Sequence, residues 1–344
     1  MTNTQWEVLR NLVNGIENAS PVTGFIIDSP WIPGWIGISH LEYFGSEKSW
    51  FEANRKVLET FPDTMFLPGF WSEYGMCTEP SAFGAKCIWK KDQLPHADRL
   101  PGDLSELNKL KLPEPSTDGL LPFMIQRLEG MQPLIQDLGH EIKFAVARGP
   151  LNIASFLMGT SELMLAVMLE PEEMHKFLRK ITDFSIHWIR YQKEKFPSIE
   201  GILLLDDIVG FLGEPEVKEY AVPYIREIFS SFEADIRFFH NDASGLVSTP
   251  FIREMGVNLY NFSFEHSINE IRALAGEDVV LLGNLPPRDV LAAKTPAEVE
   301  AETIKMIQEV SDKRRIIWSC GGGMPPHVAT ENINAFLSAI KKPL

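Results

Sequence analysis

Apolar and polar positions along this chain fall into two alternating rhythms. Short, almost unbroken apolar runs recur at Thr64–Gly69, Phe144–Arg148, Ile202–Leu205, Ile236–Phe239, Asn258–Asn261, Val279–Leu282 and Ile316–Trp318. Runs of this length predict strands buried on both faces. Between them, apolar residues recur at helical spacing. Leu121, Met124, Ile125, Leu128, Ile135 and Leu138 form one such stripe, stopped by Gly139. Met174, Phe177, Leu178, Ile181, Phe184 and Trp188 form another over 171–196. Further stripes start at Pro215 and Pro296, and a last one buries Ile333, Phe336, Leu337 and Ile340. Strands alternating with amphipathic helices predict parallel βαβ units. Seven strands are counted this way, and Gly24–Asp28 is the candidate eighth. An open doubly wound sheet would carry a Gly-rich phosphate loop after its first strand, and no such loop occurs. The expected architecture is therefore α/β: a distorted (β/α)8 TIM barrel.

Two regions depart from the rhythm. Residues 1–62 predict an N-terminal helical extension, with the barrel spanning 63–344 of one single domain. In it, Thr4 and Glu7 are spaced as a capping box, and Trp6, Leu9, Val13 and Ile16 share one helix face. Pro30–Trp35 predicts a loop, and 49–61 a second helix. The stretch 75–119, with a hairpin strand at Lys86–Lys90 and Pro-rich Leu112–Ser116, predicts an insertion covering one mouth of the barrel.

Composition narrows the possibilities. Hydrophobic residues make up 44% of 344, enough for a large core. Acidic residues outnumber basic ones, 47 to 32, for a net charge of −15. The longest basic run is Lys313–Arg315, which argues against nucleic acid as a partner. No apolar run is long enough to span a bilayer, and the first residues lack a signal-peptide pattern. Three cysteines, Cys77, Cys87 and Cys320, make no disulfide framework and point to a reducing, cytoplasmic setting. A homodimer is the assembly to test.

The chemistry-bearing residues sit at strand tips, the catalytic rim of such a barrel. His240 and Asp242 straddle one strand end, two residues apart and so on one face. Cys320 ends another strand, before Gly321–Gly323. One imidazole, one carboxylate and one thiolate are a plausible zinc set with the fourth position open. A buried, hydrogen-bonded His and a Cys packed as a small hydrophobe are the competing reading. Asp206 and Asp207 follow an apolar run. Such a pair can bind a cation, orient a His or act as a general acid, and one of the two is expected to cap the following helix. Glu73, between Phe70, Trp71 and Tyr74, is either a proton donor walled by aromatics or a surface acid. Trp31, Trp35, Phe70, Trp71 and Tyr74 are candidates for an aromatic pocket, or for core.

These residues also carry a resemblance. Gly283–Pro287 with Thr295–Val299, and Cys320–Pro326 with Thr330–Asn332, resemble two segments of the uroporphyrinogen decarboxylase superfamily. Asp206–Asp207 and His240–Asp242 fall where its motifs are expected. The resemblance covers the chain from about residue 60 and implies the same distorted barrel. The decarboxylase branch carries an Arg-rich N-terminal signature; the comparable region here, Ser29–Trp35, has no Arg. The other branch consists of cobalamin-dependent methyltransferases with zinc on His-x-Cys and a distant Cys-Gly. His240 and Cys320–Gly321 are similar to that set, with Asp242 in place of the first Cys.

The resemblance thus implies a zinc enzyme taking a methyl group from a methylated small molecule to the cob(I)alamin of a separate corrinoid protein. Glu73, Asp206 or Asp207 would protonate the leaving group. The harder donor set favours an oxygen-bound methyl, as in a methoxylated aromatic. Transfer in the reverse direction to a thiol or folate, tetrapyrrole decarboxylation, and corrinoid-protein binding without turnover are the alternatives.

Overall fold

The computed structural model describes residues 1–27, 29–243 and 246–342. Ten strands run in order: β1 (Val22–Ile26), β2 (Met65–Leu67), β3 (Cys87–Lys90), β4 (Gln93–Ala97), β5 (Phe144–Arg148), β6 (Gly201–Leu205), β7 (Ile236–Asn241), β8 (Leu259–Phe262), β9 (Val280–Leu285) and β10 (Ile316–Cys320). Eight of them form one parallel sheet in the order β2-β1-β10-β9-β8-β7-β6-β5, while β3 and β4 pair as an antiparallel hairpin. The sheet curls into the expected (β/α)8 barrel.

Helices start where the sequence provides caps. Ser267 with Glu270 and Thr295 with Glu298 are complete capping boxes, the second reinforced by Pro296. Packing then divides by strand parity. Ile26, Met65, Leu67, Phe144, Val146, Leu203, Ile236, Phe238, Leu259, Leu282 and Ile317 pack together inside the barrel. The opposite parity, including Ala145, Ile202, Phe239, Tyr260, Leu281, Ile316 and Trp318, packs against the helices.

Four expectations are corrected here. The first barrel strand, β1, lies inside 1–62, so that segment is more than an extension. It overlaps Gly24–Asp28, of which Asp28 lies outside the described residues. The first capping box is Thr2 with Gln5, opening the helix Asn3–Val13, and Ile16 is exposed beyond its end. The stretch expected to loop holds the short helix Ile32–Ile36, started by Pro33 in its first turn and ended by Gly37 in a left-handed conformation. The helix expected from Pro215 is broken by a π-turn at Val217–Ala221 before it continues as Val222–Phe229.

Among the described residues no ladder joins β2 to β5, so the barrel has a seam. Val146 of β5 faces that seam with an unpaired N–H and C=O. The Gln192 amide satisfies both, accepting from Val146 N at 3.0 Å and donating to Val146 O at 2.9 Å. One pleat further on, Glu79 accepts the Arg148 N–H at 3.0 Å. Side chains thus do on this edge what pairing with β2 would otherwise do. The insertion 75–119 carries Glu79, the hairpin and the short helix Leu104–Leu107.

Candidate functional site

The inward parity continues to the C-terminal strand tips, where it sorts every candidate residue. Leu203 and Leu205 point inward and Asp206 points toward the helices, while Asp207, opening the turn Asp207–Phe211, faces His240. Phe238 and His240 point inward, and Asp242 follows them. The result is a cluster at the mouth. His240 Nε2 lies 3.6 Å from Asp207 Oδ1 and 4.0 Å from Asp242 Oδ2. Asp207 Oδ1 also accepts the backbone N–H of Asp242 at 3.2 Å, which fixes the two acids side by side. One ligand atom from each of the three residues fits within 4.8 Å of the others. Ligands at about 2.0–2.1 Å from a tetrahedral zinc stand roughly 3.3–3.4 Å apart, so the three groups must draw together to hold the ion.

The hydrogen-bond shell sets the chemistry of His240. Asn261, its neighbour on β8, donates Nδ2–H to Leu282 O at 2.8 Å. That orients its Oδ1 toward His240 Nδ1, 2.7 Å away. An amide oxygen only accepts, so the imidazole proton sits on Nδ1. In the neutral imidazole this leaves the Nε2 lone pair facing two carboxylates. A neutral His with its far nitrogen held by an acceptor is the form a metal ligand takes. Burial raises the Asp207 carboxyl above its ordinary value, His240 opposing and Asp242 reinforcing the shift. A divalent cation would relieve that crowding of negative charge.

Asp206 does different work. It is fully buried, accepting the N–H of Leu151 at 2.9 Å and of Asn152 at 3.1 Å. It thereby caps the preceding unit's helix, Pro150–Met158, while also standing at the N-cap of the following turn, Asp207–Phe211, whose Val209 N–H helps hold its carboxyl down. A Cβ on Gly149 would lie 2.3 Å from Asp206 Oδ2, so the cap requires glycine there. Burial pushes the Asp206 carboxyl up to about 8, against the pull of its backbone donors.

Cys320 is not among the three described residues whose ligand atoms lie within 4.8 Å of one another. Its parity is that of Ile316 and Trp318, and it is buried in the helix-side core. Its thiol lies 3.8 and 3.9 Å from the carbonyls of Gly322 and Gly323. Ser319, one residue earlier, shares the inward parity of Ile317. Asp207, not named in the zinc set of the sequence reading, is the third member of the described cluster. The glycines that follow do not leave open space. A Cβ on Gly321 would lie 2.8 Å from the backbone nitrogen of Phe264, and one on Gly322 would lie 2.4 Å from Asp242 Oδ2. They let the chain close around the cluster.

Glu73 is buried and ion-paired. It accepts Ser29 Oγ–H at 2.6 Å and Arg148 Nη2–H at 3.3 Å. Arg148, inward at the tip of β5, also binds Glu79 at 3.2 Å. The expected proton donor walled by aromatics is instead one of two carboxylates flanking a guanidinium. The aromatic pocket disperses as well. Trp31 and Trp35 stack at 4.8 Å and donate to Val328 O and Thr330 Oγ1, bracing the segment after β10. Phe70 stacks on Phe51 in the helix-side core, and Tyr74 covers Arg127. Only Trp71 of the five joins the barrel interior. Two clefts of about 670 and 740 Å³ lie at the opposite end among residues preceding β1, β2 and β10. Neither is lined by a metal-ligating group of three among the described residues.

A parallel barrel with an Asp–His–Asp cluster on its C-terminal rim defines a TIM-barrel protein with a candidate metal centre. Residues 36–343 match the family described as uroporphyrinogen decarboxylase (URO-D). The chain belongs to that family. The uroporphyrinogen decarboxylase of Pseudoalteromonas translucida (strain TAC 125) is 20% identical over 281 residues, 76% of this chain and 75% of that protein. The human one is 24% identical over 236 residues, 63% and 59% of the two chains. Among solved structures, a methyltransferase from Methanosarcina mazei superposes with a TM-score of 0.80 at 16% identity, covering 96% of each chain. A B12-independent methionine synthase from Shewanella sp. W3-18-1 gives 0.54 at 10% identity, covering 94% of this chain and 96% of that one. At these identities the structural likeness is one of fold. No single helix among the described residues is long and apolar enough to cross a membrane.

Proposed function

We propose that this protein is a zinc-dependent methyltransferase, moving an oxygen-bound methyl group from a small molecule to the cob(I)alamin of a separate corrinoid protein. The observation that carries the reading is the His240 ring, oriented by Asn261 with Nε2 toward a pair of carboxylates at the barrel mouth. Asp207, His240 and Asp242 fit a catalytic zinc with one position open. Zinc bound there supplies Lewis acidity to the oxygen that carries the methyl group. The chain's own groups do the rest. Asn261 holds the ligating tautomer. The Asp242 N–H holds Asp207 in place. Both acids keep part of their surface in water, so solvent at the rim can return a proton to the leaving oxygen. Two carboxylates and an imidazole are harder than a thiolate-containing set, which favours an oxygen donor over a thiol. With the aromatic pocket dispersed, a methoxylated aromatic is one member of that class and not its definition.

The names of the sequence relatives make tetrapyrrole decarboxylation the second reading. It asks for cations facing many carboxylates. Arg148 is already matched by Glu73 and Glu79, and the acids around the mouth would repel a polyanion. Purified protein is assayed for zinc, then mixed with a reduced corrinoid protein and a panel of methyl ethers, amines and thioethers while the cob(I)alamin spectrum is followed. Methylcobalamin formation that disappears in His240→Ala is expected. Uroporphyrinogen decarboxylation that survives in His240→Ala and in metal-free protein overturns the reading.

A further inference from the structure

The helix Thr160–Leu169 is apolar on both sides. Leu163, Ala166 and Val167 are buried, while Leu165, Met168 and Leu169, spaced i, i+3 and i+4, are 57%, 76% and 71% exposed. A helix apolar all round is normally covered on every side. An apolar stripe left open marks a surface that meets something else. Phe211, 65% exposed, ends the turn that Asp207 opens.

Both elements stand at the rim. The next helix, Pro171–Lys195, is 25 residues long and spans about 37 Å, against about 17 Å for β5 or β6. It returns the chain to the start of β6, so its first turns, and the helix Thr160–Leu169 before them, rise past the strand tips. Arg99 of the insertion pairs with Glu162 at 2.6 Å, and Tyr220 Oη–H donates to Val167 O at 3.3 Å. Gly210 packs beside the cluster: a Cβ there would lie 2.4 Å from the Cβ of Ala243, the residue after Asp242.

Charge decides what covers the face. Segments 160–173 and 207–219 hold four acids each, and Lys218 is their one Lys or Arg. A second copy in a two-fold interface sets the same patch against itself, bringing acids to acids. An anionic membrane meets the same repulsion. The complement is a separate protein with an apolar centre and basic residues around it. We infer that Leu165, Met168, Leu169 and Phe211 form the docking surface for the corrinoid protein, which meets them with an apolar patch ringed by Lys and Arg. The inference rests on the proposed methyl transfer, in which the cobalt reaches the mouth from outside the chain.

Binding is measured apart from turnover. The full-length protein is titrated with a corrinoid protein loaded with hydroxocobalamin, at low and at high salt, by biolayer interferometry. Leu165→Ser with Met168→Lys is expected to weaken binding by at least about tenfold. Glu170→Lys with Glu172→Lys is expected to weaken it several-fold and to flatten its salt dependence. These positions are exposed, and circular dichroism and zinc binding should match the parent in both variants. Parent binding that the variants lose, without methylcobalamin from any donor, defeats the methyl-transfer reading and leaves the docking surface standing. A parent that does not bind, or variants that bind like the parent, overturn the inference. So does a parent dimer that Met168→Lys splits into monomers in sedimentation, because a second copy then covers the face.

Discussion

Asn261 offers the sharpest test of the candidate metal centre, because it touches no ligand oxygen and acts only through His240. Replacing it by Leu removes the 2.7 Å acceptor at Nδ1 and the 2.8 Å bond to Leu282 O. His240 is then free to carry its proton on Nε2, where it would donate to Asp207 or Asp242 and block the coordinating lone pair. Removing such a supporting partner typically costs about 10- to 100-fold in metal affinity, or roughly 1.4–2.7 kcal/mol. Asn261→Asp keeps an acceptor at Nδ1 while losing the donor to Leu282, so zinc affinity should stay within several-fold of the parent while thermal stability falls. Zinc is titrated in competition with a chromophoric chelator, and nitrogen chemical shifts of His240 report the tautomer. If the Leu variant binds zinc like the parent, or the Asp variant as weakly as the Leu variant, the tautomer argument is wrong.

Three further outcomes follow from the same geometry. Asp206→Ala leaves two N–H groups of the helix Pro150–Met158 unmet and should lower unfolding free energy by on the order of 2 kcal/mol in urea titrations; Asp207→Ala should leave stability nearly intact and abolish zinc binding. Gly322→Ala places a Cβ against Asp242 at a φ of 84°, so it should cost about 1–2 kcal/mol of stability and weaken zinc binding together, read by melting temperature and titration. Burial, with help from the charge of the N-terminal amine, lowers His140 from 6.5 to about 4. The folded state then binds fewer protons than the unfolded one, so this stability is present above pH 6.5 and is lost as pH falls toward 4. His140→Leu should flatten that acid limb in urea midpoints measured between pH 4 and 8.

Much of the fold was legible because parallel strands covered on both faces read as continuous apolar runs, and the helices between them read as stripes. That same continuity hid strand parity. In Ile316–Ile317–Trp318 every position is apolar, so nothing in the run says which residues face inward, and Cys320 fell on the helix side while Ser319 faced the barrel. His240 and Asp242 were legible as a pair because a two-residue spacing keeps its meaning whichever way the strand faces. Asp206 and Asp207 were visible together, but adjacent residues point oppositely, so one became a cap and the other a ligand candidate. The ion pairs of Arg148 join residues about 70 positions apart, and no local pattern announces them. Asn261 carried no signal beyond its place near a strand end.

The seam between β2 and β5 ties the shape of the barrel to the charge of its mouth. Glu79 meets the β5 backbone with one oxygen and the Arg148 guanidinium with the other. Substitutions meant to retune the mouth for a different substrate by neutralising Glu79 would therefore also unfasten a strand edge. Efforts to alter selectivity at this rim do better to work from the opposite wall, on β8 through β10, where every strand has a neighbour on both sides.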